Sequence, residues 1–181
     1  MDSPFMTTVA IGLAKRGNRV VRFEFSYMRK SRIEGRRRFP DSVTALMEDW
    51  QTVISSLKSE STLIIGGKSL GGRIASLVAD DAGVAGLVCL GYPFHPPGRF
   101  DKLRTEHLKT LVTPTLIVQG ERDAFGNQSE VNNYNLSDSI HVEWLRDGDH
   151  SLKPRKKSGC TEADNLSRAV HLISEFVCQL T

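Results

Sequence analysis

A chain of 181 residues, 39% hydrophobic and 25% charged, fits one globular domain with a sizeable core and is neither disordered nor fibrous in composition. Its formal net charge of +3 is small, so the placement of charge matters more than its total. No apolar run approaches the ~18 residues of a membrane span. The three cysteines, Cys89, Cys160 and Cys178, form no C-x-x-C pair, which argues against a disulfide framework or zinc site and for a reducing, cytoplasmic setting.

The N-terminal stretch MDSPFMTTVAIGLAKRG has an acid at its second position and no basic leader. It reads as an amphipathic helix, with Phe5, Val9 and Leu13 on one face and Gly17-Asn18 as its stop, rather than as a signal peptide. RVVRFEF, from Arg19 to Phe25, reads as a strand. Asp41 is placed to cap a long helix whose stripe is Val43, Leu46, Met47, Trp50, Val53, Ile54 and Leu57. STLII is a short buried strand, and Ile74, Leu77 and Val78 mark the helix after the glycines that follow it. AGLVCLGYP has no polar face, as expected of a strand covered on both sides. Leu103 to Leu111 is expected to be helical, TLIVQ (Thr115 to Gln119) is again a buried strand, and HVEWL alternates like a strand nearer an edge. Thr161 is placed to cap a last helix bearing Leu166, Val170, Ile173 and Val177. Strands alternating with helices give an α/β domain with a mostly parallel sheet.

The stretch IIGGKSLGGRIAS admits two chemistries. A phosphate-binding loop, G-x-x-x-x-G-K-[ST], would need glycine at position 62, where Thr62 sits inside the strand. A nucleophile elbow, G-x-S-x-G between strand and helix, matches Gly67-Lys68-Ser69-Leu70-Gly71 in the right context. Glycines on both flanks remove side chains that would collide in so sharp a turn, and Ser69 Oγ would stand at the carboxyl end of the sheet. The plain alternative is a glycine-rich turn with an incidental serine.

A serine hydroxyl needs a base held by a carboxylate, and in this architecture the order is serine, acid, histidine. Asp123 follows the strand TLIVQ, and His150 follows HVEWL. Of the five histidines, His95, His107 and His171 read as surface residues and His141 begins a strand, so His150 alone lies in the right loop. Glu121, Asp147 and Asp149 compete with Asp123, and the residues by themselves leave that choice open.

The segments MDSPFM, GLAKRGNRVVRFEFSYM, GGKSLGGRIAS, CLGYPFHPPG, VQGERDAFG and DGDHSLKP carry a family resemblance over essentially the whole chain. The sequence resembles α/β-hydrolases of the dienelactone-hydrolase-like group. Within that group it looks like small bacterial α/β-hydrolase-like proteins related to the hydrolase-like domain of an animal chromatin acetyltransferase complex subunit. The resemblance implies one α/β-hydrolase domain over residues 1–181, with a mostly parallel sheet flanked by helices. It also implies Ser69 as nucleophile, Asp123 as orienting acid and His150 as general base, with no cofactor and no metal.

Members of that family begin with further strands, the last ending in a His-Gly loop. The present sequence starts after them, so an N-terminally truncated domain is expected. The backbone N–H of Leu70 supplies one half of an oxyanion hole, whereas the second donor normally comes from the loop that is absent. A slot of roughly 10 Å, two strand spacings, is expected between RVVRFEF and TLII unless RVVRFEF moves across or a partner fills it.

Two basic segments flank the site in the sequence, Arg29-Lys30 through Arg36, Arg37 and Arg38, and Lys153, Arg155, Lys156 and Lys157. Both follow strand ends and are expected to rim the face bearing Ser69. They read either as solvated loops or as a rim that draws an anionic substrate or partner. Nucleic acid is the weaker partner because no aromatic residues interleave the basic ones. Lys68 either adds to this field or faces solvent. The leading reading is a serine hydrolase acting on a small-molecule acyl substrate through an acyl-enzyme. The rival is a hydrolase-like module, weak or inactive in catalysis, that binds an anionic partner.

Overall fold

The computed structural model describes residues 2–57 and 62–181. Ten elements follow in chain order: α1 (Pro4–Ala14), α2 (Ser26–Glu34), α3 (Val43–Leu57), β1 (Ile64–Lys68), α4 (Leu70–Ala82), β2 (Gly86–Leu90), β3 (Thr115–Gly120), α5 (Gln128–Val131), β4 (Ile140–Leu145) and α6 (Glu162–Leu180). The strands form one parallel sheet in the order β1-β2-β3-β4. Ser61, the first residue of the expected strand STLII, lies outside the described residues.

Strand alternation divides the core into two layers. Leu87, Cys89 and Ile117 face the layer built with α3 and α4, where Leu46, Trp50, Ile54, Ile74 and Val78 pack. Val88, Leu90, Leu116 and Val118 face the opposite layer, where Val9 of α1 and Leu166, Val170 and Ile173 of α6 pack. β2 and β3 are buried along their whole length, as strands with helices on both faces must be, while β4 is half-buried at the edge.

Helix ends follow local chemistry. Ser3 caps α1 by accepting from Met6 N–H, and Thr161 caps α6 in a reciprocal capping box with Asp164. At α3 the expected cap is displaced by one residue. Ser42, not Asp41, accepts the N–H of Ala45 through its hydroxyl and that of Leu46 through its carbonyl. α2, where the sequence suggested only a basic loop, is held at its start by Asp49, which takes the N–H and hydroxyl of Ser26 at 2.8 and 2.6 Å. It ends at Gly35 with φ 65°.

Two further expectations fail. Residues 103–111 contain only one 3-10 turn, Glu106–Lys109, in place of a helix. Leu103 is exposed while Leu108 and Leu111 are buried, so the leucines share no helical stripe. Asp80 captures Val112 N, Thr113 N and the Thr113 hydroxyl, giving the backbone partners outside any helix.

The segment RVVRFEF also joins no sheet. Its aromatic side chains hold it instead. Phe23 meets Trp50 edge-on at 4.6 Å and Phe25 edge-on at 5.5 Å, anchoring the segment to α3. A cavity of about 760 Å³ separates it from the outer edge of β1, lined by Val21, Phe23, Trp50, Ile64, Ile173 and Val177 among others. The expected slot is therefore present, and RVVRFEF does not move across to close it. Ser69 N–H donates to Leu90 O, and Leu63 O accepts from Ala85 N–H, both at 2.9 Å. Backbone groups in a parallel ladder alternate between the strand's edges, so Ile64, Gly66 and Lys68 turn theirs toward the cavity.

Candidate active site

The turn from β1 into α4 is built by close approach. A Cβ on Gly67 would lie 2.7 Å from Gly71 C and 2.8 Å from Gly72 N, and a Cβ on Gly72 would lie 2.6 Å from Gly67 O. The helix thus packs its backbone directly on the strand. Gly71 differs from the sequence expectation, because a Cβ there meets nothing within 4 Å. Between these glycines Ser69 adopts φ 52°, ψ −117°, a strained conformation for a residue with a side chain, held in place by the surrounding structure.

The hydroxyl so presented meets its partners. Ser69 Oγ–H donates to His150 Nε2 at 2.8 Å, and His150 Nδ1–H donates to Asp123 Oδ2 at 2.8 Å. The Asp123 contact fixes the tautomer, with the proton on Nδ1 and a free lone pair on Nε2. Asp123 is fully buried. Its other contacts are Gln119 Nε2–H, donating to Oδ2 at 2.8 Å, and Phe125 N–H, donating to Oδ1 at 2.9 Å. The Phe125 ring lies against the imidazole, centroids 4.1 Å apart. Gly91 opposes the same histidine, since a Cβ there would lie 2.8 Å from His150 O.

Gln119 escaped the sequence reading. It is fully buried at the end of β3. Its Oε1 accepts from Tyr92 N–H at 2.7 Å, and its Nε2 reaches Tyr92 O, Gly126 O and Asp123. The signal was available, a polar residue closing the otherwise apolar run TLIV.

The competing acids are occupied elsewhere. Glu121 accepts from Asp147 N–H at 2.7 Å. Asp149 accepts from Ser151 N–H and Lys153 N–H and so shapes the loop carrying His150. Asp147 is paired with Arg155 and with Arg122, and the Arg155 guanidinium holds its carboxyl well below the usual carboxylate range. Of these acids only Asp123 reaches His150.

Among the other histidines, the surface reading fails for His95, which is fully buried between Glu130 (3.1 Å) and Pro96 O (2.9 Å). It fails in part for His107, which is half-buried against the Ser76 hydroxyl at 2.8 Å. Burial and the nearby Arg73 lower its pKa. His171 is on the surface of α6 beside Glu175.

Leu70 is the first residue of α4, so its N–H has no intrahelical acceptor and is available beside Ser69. Part of the basic rim is paired with its own neighbours. Arg36 and Arg38 both bind Glu34, Lys153 lies 3.4 Å from Glu162, and Arg155 binds Asp147. Arg37 is exposed. Among the described residues no cluster of His, Cys, Asp and Glu is grouped to hold a metal ion, and no helix is long and apolar enough to cross a membrane.

Solved structures share this architecture. An α/β serine hydrolase without a lid from Xanthomonas campestris superimposes with TM-score 0.72 at 20% identity, over 99% of this chain and 74% of that one. A serine hydrolase homologue from Coxiella burnetii gives 0.66 at 23% identity, over 100% and 78%. Est1E from Butyrivibrio proteoclasticus, solved with ferulic acid, gives 0.72 at 13% identity, over 99% and 84%. At such identities the likeness speaks for the fold. The sequence itself matches the α/β-hydrolase domain family over residues 1–178, and the chain belongs to that family.

Proposed function

We propose that this hydrolase cleaves an ester or related acyl bond through an acyl-enzyme on Ser69. One observation carries the reading, the unbroken hydrogen-bond line Ser69–His150–Asp123 at the end of a strained strand-to-helix turn. Ser69 Oγ attacks the acyl carbon as its proton passes to His150 Nε2. Asp123 stabilises the imidazolium without taking its proton. The Leu70 N–H faces the oxyanion that forms. Collapse expels the alkoxide, which takes the proton from Nε2 and leaves the acyl group on Ser69. Water then repeats the sequence and releases the acid. The dienelactone-hydrolase-like motifs and the cytoplasmic setting belong to the same reading. The rival, a module drawing an anionic partner to its rim, loses some support because Arg36, Arg38, Lys153 and Arg155 are already bound to adjacent carboxylates.

Labelling by a fluorophosphonate probe tests the proposal. Stoichiometric modification of the wild type, absent in Ser69→Ala, is expected. Equal labelling of both proteins, or of neither, would sink it.

A further inference from the structure

Among the described residues Lys68, one residue before Ser69, makes an ion pair with no carboxylate. Its backbone faces the cavity beside β1, and it lines that cavity together with Ser69, Leu70 and Gly71. Its ammonium sits 5.3 Å above the centre of the Phe5 ring, within the ~6 Å range of a cation–π contact. The nearest acids are engaged elsewhere. Asp123 holds His150 and Gln119, and Asp149 holds two backbone N–H groups of its own loop. Lys68 is half-buried, and burial lowers its pKa from the ordinary lysine value against the opposing pull of Asp123 and Asp149. A partly desolvated ammonium with no carboxylate in direct contact gains from a ligand that brings one.

The chemistry fixes which part of a substrate meets it. The departing alkoxide must leave beside His150 Nε2, because that nitrogen returns the proton. His150 stands on the β2–β4 side of Ser69, whereas Lys68 and the cavity lie on the outer side of β1. The group retained on Ser69 therefore projects toward Lys68. The Cα atoms of residues 68 and 69 are about 3.8 Å apart, so the flexible lysine stem serves a charge only a few bonds from the scissile carbonyl.

Resting on the acyl-enzyme reading, we infer that Lys68 is a specificity-determining residue selecting short acyl groups that end in a carboxylate. The apolar lining accommodates the methylene segment, and the ammonium binds the terminal anion.

The test compares p-nitrophenyl hemisuccinate with p-nitrophenyl butyrate, which share a leaving group and differ in acyl charge. The wild type is expected to favour the hemisuccinate, with the ratio of kcat/KM values falling about tenfold in Lys68→Met, the scale of losing one charge-assisted contact. Lys68→Arg should keep the ratio within about threefold of wild type, and added salt should compress the wild-type ratio toward that of Lys68→Met. An unchanged ratio in Lys68→Met, with both esters still cleaved through Ser69, overturns this inference and leaves the acyl-enzyme reading standing. Turnover that survives Ser69→Ala, or no turnover of either ester by the wild type, overturns both.

Discussion

On one side of Ser69 lie β2, β3 and β4, joined by parallel hydrogen bonds, with β2 and β3 buried along their whole length. On the other lies the segment from Arg19 to Phe25, held to α3 by ring contacts and separated from β1 by a cavity. Asp123 and His150 both come from the first side. Acid–base geometry therefore rests on ladder hydrogen bonds, which fix distances, and the cavity side rests on aromatic packing, which fixes them less sharply. The difference explains how a wide opening beside β1 coexists with contacts of 2.8 Å within the site.

The largest expected effect removes the chemistry and spares both sides. Ser69→Ala should lower kcat/KM for an activated ester by about 10⁴ or more, with a melting temperature no lower than wild type, since it also relieves none of the packing. A large loss of Tm would mean that the elbow serine is structural.

Next comes the aromatic side. Trp50→Ala removes a buried ring that anchors Phe23 and should cost about 3–5 kcal/mol of stability. Trp50→Phe should cost much less, because the indole N–H has no partner among the described residues. Denaturant unfolding of the two variants checks this. Equal losses would show that the ring's size, rather than its contact with Phe23, holds the segment.

The ladder side is probed through Gln119. Gln119→Met strands the Tyr92 N–H and loosens Asp123. A stability loss of about 1–3 kcal/mol is expected for the unsatisfied groups. A fall of about tenfold in kcat/KM is also expected, equivalent to about 1.4 kcal/mol in the barrier. Activity falling with no change in KM would mark Gln119 as a positioning residue for Asp123.

How the sequence announced these two sides is itself uneven. The buried strands were legible because VCL and TLIV leave no polar face, and the order of Ser69, Asp123 and His150 followed from strand ends. RVVRFEF was misread because alternation and aromatic content describe a half-buried segment equally well, whether or not its backbone finds a ladder. α2 was hidden by its charge, since Arg29, Lys30 and Arg32 mask the capping contact supplied from a distance by Asp49. Gln119 and the buried His95 depend on partners far along the chain, which local periodicity does not record.

The smallest expected effect concerns the loop carrying His150. The Asp147 carboxyl is held below its usual range by Arg155, so its stabilising contribution is full above the unfolded-state pKa of about 3.9. That contribution is lost as pH falls through the lower folded value. Arg155→Met should therefore lower Tm slightly near pH 7, and the gap to wild type should begin to narrow below about pH 4 and keep narrowing as the pH falls toward the lower folded value. A gap that persists in acid would trace the effect to the arginine's packing rather than its charge.

The bare contact between Gly67 and Gly72 has a consequence for how this motif tolerates change. The elbow's tolerance to drift is unequal at its glycines. A methyl group at Gly71 points into open space and would narrow the cavity mouth, whereas one at Gly67 or Gly72 would push α4 off β1 and carry the nucleophile with it. The spelling G-x-S-x-G thus marks a position this protein has room to vary and passes over the neighbour it has not. In a library of elbow variants, alanine should accumulate at position 71 and stay rare at position 72.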